Sequence, residues 1–228
     1  MLGLPTGITN TSYQWQPNFV GDSVLKMWLR NNVDVFAHRW GDSSGNDHNA
    51  NQSDGSLQAD ISGGGLEFDG SSHHYDIEPI VCSAEEGFTI TMVIDPDAVD
   101  NRTLLGIDSA SEFVDIMSSK KIRIKIDGTA RTLEYSGAQF VVGEKFVLTI
   151  VRKSGAHGEL FVYKNGVKLT PTSSQANPGA ISFSTLGSRG TDRFFDGHIY
   201  EALVYDREDV TDNDLVRIHN YLINKHNI

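Results

Sequence analysis

The chain has 228 residues, with 30 acidic against 19 basic side chains and a formal net charge of -11 at pH 7. Such a surface repels phosphate backbones, which excludes nucleic acid as a partner. No stretch is long and apolar enough to insert in a membrane, and no Pro/Ser linker or charge run divides the chain, so one large domain with a sizeable core is expected.

Residues 1-22 read as an amino-terminal arm and 23-228 as the folded domain. The arm is rich in Thr, Asn, Gln and Pro and has few periodic apolar positions. Leu2, Leu4, Tyr13, Trp15 and Phe19 could anchor it on a partner, because aromatic anchors dominate many interfaces. The competing expectation is that the arm packs on its own domain, with Trp15 filling a gap. Met1 to Thr6 lacks a basic segment followed by an apolar core, so synthesis in the cytosol without a secretory signal is expected.

The run from Gly41 to Asn46 and the cluster Gly63-Gly64-Gly65 supply the tight turns that many short strands need. Gly41-Asp42-Ser43-Ser44-Gly45 matches G-x-S-x-G, but turn formers follow it where a nucleophile elbow needs a helix, so Ser43 is not expected to be catalytic. Asp47, Asn49, Asn51 and Asp54 have the oxygen-rich look of a calcium loop. Gln52 and Gln58 stand where an EF-hand has Gly and its bidentate Glu, which favours turn formers over calcium. His73 and His74 are adjacent in an expected strand and would point to opposite faces, so they cannot share a metal.

Phe88 to Ile94 mixes Thr with apolar residues in a β-favouring way. Ile122, Ile124 and Ile126 alternate with Arg123 and Lys125, which predicts buried isoleucines and exposed cations. Phe146 to Val151 is almost continuously apolar, as a strand covered on both faces requires. Lys164-Asn165-Gly166-Val167 predicts a two-residue hairpin. A final strand should carry Ile199, Leu203 and Tyr205 on one face and Ala202 and Val204 on the other. A helix follows from about Asp212 to Lys225, apolar at 215, 218 and 222, with Thr211 as N-cap and Asp214 near its positive end.

The basic residues Lys120, Lys121, Arg123, Lys125 and Arg131 read first as a solvated strand face. Arg123 and Lys125 are the candidates if the stripe docks an acidic partner. The single cysteine, Cys82, excludes an internal disulfide and reads as a buried, inert thiol.

Several blocks stand in a telling order: Trp28-Leu29, Trp40 to Gln52 beginning Trp40-Gly41-Asp42, Leu66-Glu67-Phe68-Asp69-Gly70-Ser71, and Leu160 to Val167 with its Asn165-Gly166. The last is a strand with Glu201 and Tyr205-Asp206, then a helix ending in Tyr221-Leu222 and Lys225. From Val24 onward the chain resembles the laminin-G-like domains of the concanavalin A-like lectin/glucanase superfamily. The resemblance implies an all-β fold, a jelly-roll sandwich of two antiparallel sheets with a C-terminal helix. The chain departs from the family after Trp28-Leu29, where the family often has Asp-Ala and this chain has Arg30-Asn31.

Some relatives in that superfamily are glucanases with an E-x-D-x-E strand. Glu67-Phe68-Asp69-Gly70-Ser71 begins that way and lacks the second glutamate, so a glycoside hydrolase is the least favoured reading. No cofactor is expected. The favoured reading is a non-catalytic structural or attachment component of a larger assembly, a bacteriophage virion protein made in the host cytoplasm, with other virion proteins as partners. The alternative is a carbohydrate-binding, lectin-like module that stacks sugars on rings such as Tyr75 or Tyr135.

Overall fold

The computed structural model describes residues 15–21, 24–154, 157–172, 176–190, 192–207 and 212–228, the side chain of Asp212 excepted. Leu2, Leu4, Tyr13 and the expected N-cap Thr211 lie outside the described residues. None of the described helices is long and apolar enough to cross a membrane.

The protein is an all-β jelly-roll sandwich of two antiparallel sheets closed by a C-terminal helix, Asp212–His226. One sheet runs edge to edge through Val167–Lys168, Leu160–Lys164, Phe146–Arg152, Phe88–Pro96, Asp196–Tyr205, Gly65–Asp69 and Asp60–Ser62. Leu25–Leu29 also pairs with the second half of Asp196–Tyr205. The other sheet runs through Thr129–Glu134, Lys121–Ile126, Phe113–Ser118, Arg102–Gly106, Ile181–Leu186, Tyr75–Cys82, Ala50–Asn51, Arg39–Trp40 and Val35–Phe36. The hairpin at Asn165-Gly166 has positive φ at both residues, 50° and 78°, as a two-residue turn that matches strand twist requires.

Two apolar layers follow from these pairings. Between the sheets, Ile90, Met92, Ile94, Phe146, Leu148 and Ile150 meet Leu104, Val114, Ile122, Ile124, Ile126 and Phe183. On the outer face of the first sheet, Val93, Val147, Val151, Leu203 and Tyr205 meet Leu215, Ile218 and Leu222 of the helix. Phe146–Arg152 is therefore buried throughout, covered by the second sheet on one side and the helix on the other. Each of the three helical anchors contributes about 1.5–3 kcal/mol through removal of its side chain from water.

Three sequence expectations need correction. Arg123 and Lys125 flank buried isoleucines as expected, yet they are half-buried rather than exposed. The Arg123 Nε donates to Thr132 Oγ1 at 3.2 Å, and the Lys125 ammonium donates to the Ala110 carbonyl at 3.0 Å while lying over the Phe113 ring. His73 and His74 belong to the irregular segment just before Tyr75–Cys82 and not to the strand itself. The final strand does not keep one alternation, because its pairing with Phe88–Pro96 slips between Ile199 and Glu201. A bulge places two residues opposite one. Tyr200 and Glu201 thereby turn toward the helix, and Ile199 joins Ala202 and Val204 in the inter-sheet core, while Leu203 and Tyr205 face the helix.

Candidate functional site

The bulge decides what lies beneath the helix. Glu201 is fully buried there and accepts three hydrogen bonds: from the Trp28 indole at 2.7 Å, the Lys225 ammonium at 2.7 Å and His226 Nε2 at 2.8 Å. Burial pushes its carboxyl up, and the donors His226, Lys225 and Trp28 with the Lys225 charge outweigh that and hold it below the usual carboxylate range. Glu201, Trp28 and Lys225 all belong to the sequence blocks described above. Their shared task is to pin the helix to the sheet.

The outer stripe of the same helix forms one wall of a groove. Residues 217, 220, 221, 224 and 225 fall on one side at spacings of three and four. Arg217, Asn220, Tyr221, Asn224 and Lys225 thus line a groove of about 630 Å³, together with Arg30 and Trp15. Alternation along Leu25–Leu29 carries Trp28 and then Arg30 to the helix side, and the Arg30 guanidinium lies 4.8 Å from the Trp28 ring centroid. Trp15 comes from just before the short turn Pro17–Val20, and its ring meets the Tyr221 ring edge-on at 6.3 Å. The turn is tied down in its turn by the Tyr205 hydroxyl, which donates to the Pro17 carbonyl at 3.3 Å. Burial pushes the Tyr221 hydroxyl up to about 12, aided by Glu201 and opposed by Arg30. That phenol stays protonated and can both donate and accept a hydrogen bond.

A second cluster lies beside the carboxyl end of the helix. Glu67, Asp97 and His198 bring their ligand-capable atoms within 4.8 Å of one another, so these residues could hold a metal ion. His198 Nε2 lies 3.1 Å from Glu67 Oε2 and 3.0 Å from Ser62 Oγ, and its ring stacks on Tyr200 at 5.4 Å. Carboxylate oxygens of Glu67 and Asp97 lie within 4.8 Å of each other, no farther apart than the pair of a retaining glycosidase at about 5 Å. However, Asp97 is exposed and Glu67 is 45% exposed, so the protein does not enclose a glycosidic bond between them.

The expected site residues have other surroundings. Tyr75 and Tyr135, expected as exposed sugar platforms, are buried. The Tyr75 hydroxyl donates to Ala37 and accepts from the Ala59 amide, and the Tyr135 ring packs edge-on against Phe140. The Tyr75 hydroxyl is thus satisfied, whereas the Tyr135 hydroxyl is buried without a partner among the described residues, a cost that the burial of its ring offsets. Ser43 donates its amide to the Trp28 carbonyl in a bend with no helix after it. Asp69 accepts from the amides of Ser71, Ser72 and His73 and from both serine hydroxyls. Its partial burial opposes ionisation, yet those donors hold its carboxyl well below the usual range, and the side chain is a turn clamp.

In the oxygen-rich loop, the Asn49 side-chain oxygen accepts from the Asp42 amide at 2.8 Å and Asp54 accepts from the Ser56 amide at 2.9 Å. Both oxygens are committed to local turns. The Cys82 thiol is buried, which raises it far above the ordinary thiol range. Phe19 is 47% exposed beside the arm's turn.

Arg30, Tyr221, Asn220 and Asn224 were absent from the sequence-based candidates. Two signals pointed to them: the helical spacing of 217, 221 and 224, and the departure from the laminin-G-like pattern at Arg30.

No family model and no curated protein matches the chain. Among solved structures it is similar to domain 4 of AbnA, a GH43 extracellular arabinanase from Geobacillus stearothermophilus, in complex with arabinotriose. The TM-score is 0.63 at 16% identity, covering 86% of this chain and 98% of that one. It is also similar to the binding domain of Paraclostridial Mosquitocidal Protein 1, with TM-score 0.61 and 16% identity over 89% of this chain and 53% of that chain. Trypanosoma rangeli sialidase in complex with sialic acid gives 0.60 and 14% over 88% of this chain and 33% of that one. The chain thus spans about half and a third of the last two. At these identities the likeness establishes the β-sandwich fold.

Proposed function

We propose that the chain is a non-catalytic, lectin-like module that binds glycans in the groove between Trp15, Arg30 and the outer stripe of the helix. The observation that carries this reading is the groove's composition: two aromatic rings, Trp15 and Tyr221, bordered by the amides of Asn220 and Asn224. Aromatic faces take the apolar side of a sugar ring, and amides donate to and accept from its hydroxyls. The likeness to an arabinanase domain in complex with arabinotriose supports the reading at the level of the fold. Asp69 is committed to a turn and Glu67 stands on an open face, which supports a module without turnover. Neither calcium nor another cofactor enters it.

The module's place on a larger assembly, a bacteriophage virion, is part of the proposal and rests on the resemblance to laminin-G-like domains. Glycan binding is the chemistry that an attachment component needs. A glycan array with the full chain tests the central claim. The expected result is binding that Trp15→Ala and Asn224→Ala weaken together. An array blank for the folded protein would overturn it.

A further inference from the structure

The groove holds three cations, and they are not equivalent. Arg217 lies 3.7 Å from Asp214, and Lys225 lies 2.7 Å from the buried Glu201. Among the described residues Arg30 has no carboxylate within ion-pair distance. It is half-buried, stacked on Trp28, and close enough to Lys225 for the two like charges to oppose each other. In a chain with net charge -11, a partly desolvated guanidinium at the wall of a groove, with no carboxylate beside it among the described residues, is an exception that asks for an anion.

The neighbours of Arg30 narrow the anion's chemistry. Contact with the Trp28 ring and a side-chain hydrogen bond with Tyr221 hold the guanidinium at the groove wall, and its remaining N–H groups suit a planar, two-oxygen acceptor. Trp15 and Tyr221 then offer apolar ring surface in the same groove, and Asn220 and Asn224 offer hydroxyl partners. Building on the lectin-like reading, we infer that the groove selects glycans that carry a carboxylate, with the carboxylate on Arg30 and its sugar ring against Trp15 and Tyr221. Uronic and sialic acid residues share that chemistry.

Calorimetry on the full chain at low salt separates the two sources and tests the inference. The probes are two pairs, trigalacturonate with galactotriose and sialyllactose with lactose. In at least one pair the carboxylated member should bind about tenfold tighter or better, the scale of a charge-assisted hydrogen-bonded contact. Arg30→Gln should erase that gap between the two members, Arg30→Lys should retain part of it, and Arg217→Gln should retain all of it. Equal binding of both members, lost together in Trp15→Ala, overturns the carboxylate inference and leaves the lectin-like reading standing. A gap that survives Arg30→Gln also overturns the inference, because the carboxylate is then read elsewhere. If none of the four probes binds and a broad glycan array is also blank, both readings fall.

Discussion

The Trp28 indole donates to the Glu201 carboxylate across 2.7 Å, joining residues 173 positions apart in the chain. Trp28 lies on a strand that begins the domain, Glu201 lies in the bulge of the last strand, and Lys225 and His226 bind the same carboxylate from the helix. Three segments are locked at one buried anion, and the groove stands directly above it.

Removing that anion should loosen the helix and the groove together. Glu201→Ala leaves the Trp28 N–H, Lys225 and His226 without their acceptor, and a cost of about 3 kcal/mol is expected from breaking a buried ion pair on one side. Trp28→Phe deletes a single donor and should cost about 1–2 kcal/mol. Urea unfolding of the two variants at pH 7 checks the order. Equal, near-zero effects would show that the network does not hold the helix.

Acid should weaken the protein in two stages. Burial pushes His219 down to about 4 from its ordinary 6.5, while its Nε2 lies 2.9 Å from the Thr149 hydroxyl. Between those values the unfolded chain binds a proton that the folded chain refuses, so stability rises with pH and is lost as pH falls from 6.5 toward 4. Between pH 7 and pH 5 the loss from this residue is about 2 kcal/mol. Glu201 acts lower: its folded carboxyl is held below the ordinary 4.5, so its contribution is complete above 4.5 and disappears as pH falls through the folded value. His219→Gln should flatten the upper stage and leave the lower. Denaturation curves at pH 7, 5 and 4 for both proteins are the measurement, and an unchanged upper stage in the variant would refute the assignment.

Assays against β-glucans and ester substrates should give no turnover, with Glu67→Gln, Asp97→Asn and Ser43→Ala indistinguishable from the parent. Glu67 and Asp97 are close enough to make this a strict test. Turnover abolished by Glu67→Gln would make the exposed carboxylate pair catalytic and end the non-enzymatic reading.

Truncation should divide the arm at Trp15. Deleting residues 1–14 should leave the melting temperature within about two degrees of the parent, whereas deletion through Gly21 also removes the Trp15 contact with Tyr221 and the Pro17 acceptor of Tyr205. A further fall of several degrees is expected for the longer deletion, about 1–2 kcal/mol for one half-buried aromatic and one hydrogen bond. Co-sedimentation of the shorter truncation with the parent assembly tests Leu2, Leu4 and Tyr13 as partner anchors. Retained co-sedimentation would remove them from that role.

Local chemistry made much of the fold legible. Alternation placed Ile122, Ile124 and Ile126 inside, Asn165-Gly166 announced its hairpin, and apolar spacing at 215, 218 and 222 placed the helix and its buried face, because each signal depends only on neighbours along the chain. Tertiary structure decided the rest. A one-residue slip at Tyr200 moved Ile199 to the face of Ala202 and Val204, away from Leu203 and Tyr205, and nothing in the period-two pattern marks that bulge. Tyr75 went inside because hydrogen-bond partners distant in sequence were there to receive its hydroxyl, and Tyr135 because its ring packs against Phe140 in the core. Arg30 stood out in the sequence only as a departure. Its place against Trp28 and the helix stripe exists because pairing across the sheet brought residue 30 beside residues 221 and 225.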